Sequence, residues 1–214
     1  MKKNIIKVSV LTILSFVCVQ NTFANGYKGE TTSMPAITMP NLTYSYVPSW
    51  YVGGNIGVSH VHDKKARGSA DSVTEIGPGW SVDLGYQFLQ VCKALFAGEL
   101  GYTQYYHSSE TLPRVNVATT EHFSSYLAAV GQYPLGYNFN VLGKLGIAYS
   151  YAKKVFTVSG ASGSANAYSP YYALGFSYNV TSKAALVAQW ARARGNGSTG
   201  SNDLSSLGVS YSFG

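Results

Sequence analysis

The chain has 214 residues, of which 11% are charged and 14% aromatic, with 18 Tyr and 23 Gly. This length suffices for one domain with a substantial core, but so few charges would leave a soluble exterior poorly solvated. Composition alone leaves two classes open: a transmembrane β-barrel with an apolar outside, and a soluble β-sandwich rich in Tyr and Gly.

The first 24 residues have the features of a secretory signal peptide. A basic start with three lysines precedes an apolar stretch from Val8 to Val19, and Thr22 and Ala24 place small residues where signal peptidase cuts. The stretch is too short to span a membrane as a helix, so we predict cleavage after Ala24. Loss of the three lysines lowers the net charge from +6 to about +3, which argues against a nucleic-acid partner.

Residues 25–49 are predicted to form an irregular periplasmic lead-in, because Pro35, Pro40 and Pro48 lie there among Thr and Ser. Beyond residue 24 no run of eighteen uninterrupted apolar residues follows, so we predict no transmembrane helix in the mature chain. If the mature chain crosses a membrane, it must do so as a closed sheet, because hydrocarbon offers no partner to an unpaired backbone amide.

From Trp50 onward the side chains alternate with the period of a two-faced strand. In residues 75–88 the even positions are bulky and apolar, whereas the odd positions are Gly, Ser or acidic, with one Gln. An eight-stranded barrel has an interior just wide enough for side chains, so we predict that the small and polar face is enclosed and the bulky face meets lipid. Pro78 cannot donate to a strand ladder, and we expect a bulge or an outer-rim position there.

The alternation recurs in seven further segments, with 121–133 the weakest. The predicted strands cover 50–60, 75–88, 95–106, 121–133, 141–152, 171–179, 184–193 and 204–213. The longer connections, near 61–74, 107–120, 153–167 and 194–203, alternate with short ones, as is typical of outer-membrane barrels with short periplasmic turns. The sequence therefore predicts an all-β fold, an eight-stranded antiparallel up-and-down transmembrane β-barrel over residues 50–214.

Aromatic residues near the two ends of these strands predict two girdles. The lower girdle would contain Tyr86, Phe88, Phe96, Tyr133, Tyr178, Tyr211 and Phe213. The upper girdle would contain Trp80, Tyr102, Tyr106, Tyr149, Tyr172 and Trp190. Such belts lie at the interfaces of a bilayer.

Several motifs resemble the transmembrane domain of the OmpA-like outer-membrane proteins. They are Trp50–Gly54, Tyr133-Pro134-Leu135, Ser169-Pro170, Gln189-Trp190 and the closing run 204–214. The resemblance implies an eight-stranded barrel in the bacterial outer membrane, with a plugged, at most weakly conducting lumen, a role in envelope integrity, and loops used in adhesion or as phage receptors. We expect the transmembrane domain alone, without the peptidoglycan-binding periplasmic domain that follows it in that family.

Four charged residues are predicted to face the barrel interior: Glu75, Asp83, Glu99 and Lys144. They could form a plug of ion pairs and hydrogen bonds or line an ion path, and we favour the plug because buried charge needs a partner. By the resemblance, Glu99 and Lys144 stand at charged interior positions of the family. Uncharged residues replace its usual charges at Val130, Ser177, Ala185 and Val187, so we expect a thinner network.

A possible enzyme site is the pair of His122 and Ser124, whose spacing resembles the His-x-Ser of outer-membrane lipid A deacylases. That chemistry needs an orienting carboxylate, and after Glu121 the next acid is Asp203. We therefore predict no catalytic residue. His60, His62, His107 and His122 map near the outer rim without the compact spacing of metal ligands, so no metal or other cofactor is predicted.

Basic residues gather at the predicted outer rim: Lys64, Lys65, Arg67, Lys153, Lys154, Arg192 and Arg194. Guanidinium and ammonium groups pair with phosphates, so these residues could contact outer-membrane lipopolysaccharide; ordinary solvated loop charge is the alternative. The favoured function is a structural and surface-interaction barrel whose loops bind host or envelope partners. A small weakly conducting pore is the alternative, and a lipid A-modifying enzyme is a third hypothesis.

Overall fold

The computed structural model describes residues 48–62, 74–112, 115–156, 160–196 and 199–213. The predicted signal peptide at 1–24, the lead-in at 25–49 up to residue 47, and the loop residues Lys64, Lys65 and Arg67 lie outside the described residues. The chain divides into two compact units, and all described residues belong to the second, 46–214. Within the described part of the chain, no helix has the length and apolar character needed to span a membrane.

The described residues form nine strands in one antiparallel sheet. They are β1 (Ser49–His62), β2 (Thr74–Val91), β3 (Ala94–Gln104), β4 (Ser108–Leu112), β5 (Val115–Gly136), β6 (Phe139–Phe156), β7 (Ser162–Asn179), β8 (Ala184–Arg194) and β9 (Ser201–Phe213). Both β3 and β4 pair with β5, so they share one place in the sheet and are separated only by Tyr105–His107. The sheet therefore has eight places, as the alternation predicted.

The sheet closes on itself, because β1 pairs with both β2 and β9, and β3 pairs with β5. Register partners lead from strand to strand around the closed sheet, starting at Asn179 on β7. The path returns to β7 at Ser169, ten residues earlier. This stagger, the shear of the barrel, tilts the strands by about 40° from the barrel axis. The predicted up-and-down barrel is confirmed.

The two faces of the sheet are distributed as in a membrane barrel. Outward side chains are apolar and exposed, with Ile56 at 75% and Leu145 at 73%, whereas the inward Ser81 and Asp83 are 3% and 6% exposed. The bulky face of residues 75–88 points outward, as predicted. Pro78 lies beyond Trp80, the last residue of β2 that pairs with β3, at an edge that a residue without an N–H tolerates.

Outward aromatic rings lie near both ends of the strands, and they include Tyr86, Trp80 and Tyr102 of the predicted girdles. Near the short turns Trp50 packs against Tyr86 in a tilted arrangement, with 4.9 Å between ring centroids. Near the other end consecutive rings from Trp80 through Tyr102 and Phe123 to Tyr151 lie 4.9–5.6 Å apart. Phe139 and Tyr149, in the lower and upper belts of β6, are ten residues apart, which spans roughly 25 Å at the strand rise and tilt of such barrels.

Candidate functional site: barrel interior and outer surface

The carboxylate of Glu99 is the centre of a buried polar cluster in the barrel interior. Lys144 Nζ lies 2.6 Å from Glu99 Oε1. Tyr126 donates its hydroxyl to Oε1 at 2.9 Å and Tyr51 donates to Oε2 at 2.7 Å. These four side chains come from β3, β6, β5 and β1, so the cluster connects opposite walls of the barrel. Alternation places each of them on the enclosed face, which is why they meet.

Asp83 forms a second polar group in the interior. Asn55 Nδ2 donates to Asp83 Oδ2 at 3.0 Å and to Ser81 Oγ at 3.2 Å. Room for this carboxylate comes from Gly53 on β1, where a Cβ would collide with the Asp83 side chain. A glycine on the enclosed face thus makes space for a buried acid.

Glu75 is not brought together with the other three charges. It lies at the outer end of β2, where its Oε1 accepts a hydrogen bond from the backbone N–H of Ser109 on β4 at 2.9 Å. Its side chain is half-buried. Glu75 therefore joins two strands at the barrel mouth, rather than contributing to the cluster around Glu99.

Tyrosine rings fill much of the interior between the Glu99 cluster and the barrel mouth, a feature that the sequence did not reveal. Tyr126 and Tyr171 stack face to face, with ring centroids 4.0 Å apart and planes within 8°. Above them, Tyr105 packs with Val61 and Leu204 and bonds to Ser124 Oγ at 2.9 Å. The interior is packed with side chains at these levels.

The segment Tyr105–His107, which separates β3 from β4, folds into the barrel mouth. The backbone N–H of Tyr106 donates to Ser59 Oγ at 2.8 Å, and a Cβ on the inward face of Gly77 would collide with the Tyr106 ring. The prediction that Tyr106 belongs to the upper girdle is therefore wrong. The alternation of side chains continues through residues 102–106, so nothing in the sequence indicates that the chain turns into the barrel at Tyr105.

From the upper girdle the sheet continues outward on one side of the barrel. β5, β6 and β7 have 22, 18 and 18 residues, and β4 adds a fourth strand beside β5. The sequence predicts loops near 107–120 and 153–167, and for the residues of these ranges that lie in β4, β5, β6 and β7 this prediction is wrong. The extensions form a four-stranded sheet, which we call the outer sheet, made of β4, residues 115–123 of β5, 150–156 of β6 and 162–170 of β7.

Comparison with known proteins supports the assignment made from the geometry. Residues 31–213 match the family model of the outer membrane protein beta-barrel domain. The chain belongs to this family of outer-membrane barrels. It is located in the bacterial outer membrane. No curated protein sequence matches the chain.

Solved structures with the same fold include other small outer-membrane barrels. Neisserial surface protein A has 16% identity, with 78% of this chain and 100% of that chain covered and a TM-score of 0.55. For Ail, the attachment invasion locus protein of Yersinia pestis, identity is 16%, coverage 78% and 97%, and the TM-score 0.52. The N-terminal β-barrel domain of Pseudomonas aeruginosa OprF has 15% identity and a TM-score of 0.51, with 77% of this chain and 97% of that chain covered. At these identities the similarity shows a shared fold.

In this outer-membrane barrel His122 and Ser124 both point into the lumen and are fully buried. His122 Nε2 lies 3.2 Å from Ser108 Oγ. A lipid of the outer leaflet contacts outward-facing groups, so neither side chain is placed to act on lipid A. Within the described residues, no group of three or more His, Cys, Asp or Glu gathers in a metal-binding arrangement.

A charged group lies on the outward face of the barrel, near the upper girdle. Arg192 Nε is 2.9 Å from Asp203 Oδ1, and His62 Nε2 is 3.6 Å from Asp203 Oδ2. Arg194 follows on the same face of β8 and is exposed. Of the other predicted rim residues, Lys153 is exposed on the outward face of β6, and Lys154 lies over the Phe156 ring at 5.5 Å.

A groove of about 920 Å³ indents the outer wall where β2 ceases to pair with β3. Ile56, Val58, Trp80 and Leu207 form its apolar sides, and Glu121 lies at its upper end. The apolar sides continue the lipid-facing surface of the barrel, so the groove is part of the membrane-exposed wall.

Proposed function

We propose that this outer-membrane barrel is a surface-interaction protein with a closed lumen, and that its outer sheet and loops present a binding or adhesion surface. The extension of four strands past the upper girdle carries the proposal. A barrel needs only about 9–11 residues per strand to cross a bilayer, and β5 has 22. The surplus residues serve no membrane-spanning purpose and place polar surface outside the cell.

The interior groups support a plug rather than a conducting path. Glu99, Tyr51, Tyr126 and Lys144 satisfy one another across the barrel, and a path for ions would need these groups to face water. We propose that Asp83, which Asn55 holds by a hydrogen bond, adds a second polar group to the plug, whereas Glu75 fastens β4 to β2. We propose no catalytic role, because His122 and Ser124 face the packed interior.

Attachment of whole bacteria tests the surface role. A non-adherent strain producing the protein should bind a cultured epithelial monolayer several-fold better than the same strain with an empty vector. Ail, the attachment invasion locus protein of Yersinia pestis, was also solved in complex with the heparin analogue sucrose octasulfate, which motivates a test of lysines on the outer sheet. Lys153→Gln with Lys154→Gln is therefore expected to lower attachment.

The matched control changes two lysines at the short turns, Lys93→Gln and Lys183→Gln, which face the periplasm in the proposed orientation. This pair should leave attachment unchanged. Equal attachment by the producing strain and the empty-vector strain, at verified surface levels, would overturn the surface role.

We further propose that Arg192 and Arg194 contact lipopolysaccharide phosphates, because both lie on the outward face beside the upper girdle. Charge-assisted bonds to phosphate are among the stronger hydrogen bonds. Lipopolysaccharide in reconstituted vesicles should therefore raise the Tm of the wild-type barrel, and the double variant Arg192→Gln/Arg194→Gln should lose most of that increase.

Only the difference in Tm between vesicles with and without lipopolysaccharide is interpreted, because Arg192→Gln also removes the ion pair with Asp203 in both. Lys183→Gln is the matched control and should keep the full increase. An equal increase for wild type and double variant would contradict the contact.

A further inference from the structure

One edge of the outer sheet has no partner among the described strands. Residues 171–179 of β7 pair with β8 on one side and β6 on the other. Residues 162–170 pair with β6 alone among the strands that the structure describes. Their side chains are mostly exposed, with Tyr168 at 80%. We call residues 162–170 the free edge.

The free edge lacks the features that protect other edges of this barrel. At the β4 edge the backbone N–H of Ser109 donates to the Glu75 carboxylate, and the part of β2 that pairs with β1 but not with β3 contains Pro78. Charges and prolines are the usual means by which proteins block strand addition. The free edge consists of Ser, Gly, Ala, Asn and Tyr, without a charged residue, and its one proline, Pro170, marks the point where pairing with β8 begins.

We propose that the free edge binds an extended polypeptide segment of an extracellular partner by adding it as an antiparallel strand. An unpaired edge presents a row of backbone N–H and C=O groups, and another peptide backbone is the ligand that matches this row. The antiparallel direction follows from the neighbouring strands, all of which are antiparallel. This inference rests on the proposed surface role and names its mode of recognition.

Two outward side chains define what the partner segment should contain. Lys153 on β6 is in register with Ser164 of the free edge, so an acidic residue opposite Ser164 would lie near a lysine one strand away. Glu121, the register partner of Lys153 on β5, lies on its far side. Tyr168, in contact with Tyr149 at 5.2 Å, offers a ring to an aromatic residue opposite it. In an antiparallel segment the aromatic residue therefore precedes the acidic one by four positions.

A synthetic peptide tests the mode of binding. The probe is a nine-residue peptide of alternating threonine and serine with tyrosine at its third position and glutamate at its seventh, labelled at one end, and added to the full barrel in nanodiscs. Fluorescence anisotropy should show saturable binding. A peptide with the tyrosine and glutamate exchanged should bind at least several-fold more weakly, because its charge and ring meet the wrong neighbours.

Two N-methylated versions of the peptide identify strand addition directly. In a paired strand, alternate N–H groups point to the partner, so methylation of one alternate set should weaken binding tenfold or more, whereas methylation of the other set should leave it unchanged. If both sets, or neither, weaken binding, the strand-addition proposal is overturned. Attachment of whole bacteria measures the surface role separately, so the two proposals fail by different observations.

Protein variants locate the binding site. Asn166→Pro and Ala167→Pro remove successive backbone N–H groups, of which one points toward β6 and the other points to the open side of β7. The variant that loses the N–H on the open side should keep heat-modifiable gel migration and bind the peptide at least tenfold more weakly. Lys153→Gln should weaken binding of the glutamate peptide and not of its glutamine analogue. Unchanged peptide binding by both proline variants, or pairing of two barrels through this edge without added peptide, would overturn the proposal.

Discussion

Glu99→Leu is expected to destabilise the folded barrel by about 3–5 kcal/mol, and Lys144→Met by roughly half as much. In the described part of the chain, Glu99 is the one hydrogen-bond and ion-pair partner of Lys144. Loss of the carboxylate therefore leaves a buried ammonium group without compensation. Loss of Lys144 is milder, because Tyr51 and Tyr126 still donate to the carboxylate. Urea unfolding in vesicles, followed by tryptophan fluorescence, gives both values.

The double variant Glu99→Leu/Lys144→Met should recover much of the loss, because the replacement of both buried charges removes the uncompensated one. Strictly additive costs would contradict a direct pair. The exposed residues Glu121 and Lys183 provide matched controls, since Glu121→Leu and Lys183→Met should each change the free energy of unfolding by less than about 0.5 kcal/mol. Added salt should change the effect of the two control substitutions on the free energy of unfolding more than it changes the effect of the Glu99 and Lys144 substitutions. The reason is that salt screens exposed charges more than buried ones.

Planar-bilayer recordings on the same proteins test whether the cluster closes a potential pore. The wild-type barrel is expected to show no steps above background. The double variant should also stay closed, because the stacked Tyr126 and Tyr171 and the inward Tyr105 still fill the interior. Regular conductance steps in the wild type would contradict a closed lumen.

The alternation of side chains predicted the barrel because lipid and lumen impose opposite demands on the two faces. Residues 75–88 alternate between bulky and small side chains, and in β2 the bulky ones face outward and the small ones face the lumen. The same reasoning failed above the membrane. Residues 162–168 of β7 contain no buried side chain, so neither face must be apolar and the sequence of Ser, Gly and Ala resembles a loop. The alternation of apolar and polar side chains therefore does not reveal strands that lie outside the bilayer.

The interior site was predicted only in part. Inward positions of Glu99 and Lys144 followed from alternation, but their tyrosine partners did not, because the enclosed face was expected to hold small residues. Tyr51 has the same parity as Gly53 and Asn55, which was the available signal. The gap that Tyr51 fills depends on Gly85 of the next strand, where a Cβ would collide with its ring. Such a pairing of a large with a small residue depends on the register between two neighbouring strands. The sequence of one strand does not specify that register.

Two glycines three residues apart on β3 should respond oppositely to the same substitution. Gly101 faces the lumen, where a Cβ would collide with the Tyr126 ring, whereas Gly98 faces outward with nothing within 4 Å. Gly101→Leu must displace Tyr126 from its stack on Tyr171 and its bond to Glu99. We expect a cost of about 3 kcal/mol or more, at the upper end of what overpacking causes, and loss of most heat-modifiable migration.

Gly98→Leu is the matched control, because it adds the same side chain to the same strand on the other face. A strand glycine is a weak position, and a leucine there joins the lipid-facing surface, so the free energy of unfolding should stay within about 1 kcal/mol of wild type or increase. Urea midpoints and gel migration of boiled and unboiled samples measure both variants. A tolerated Gly101→Leu together with a disruptive Gly98→Leu would mean that the two faces of the sheet have been exchanged, and the membrane orientation of every strand would then be wrong.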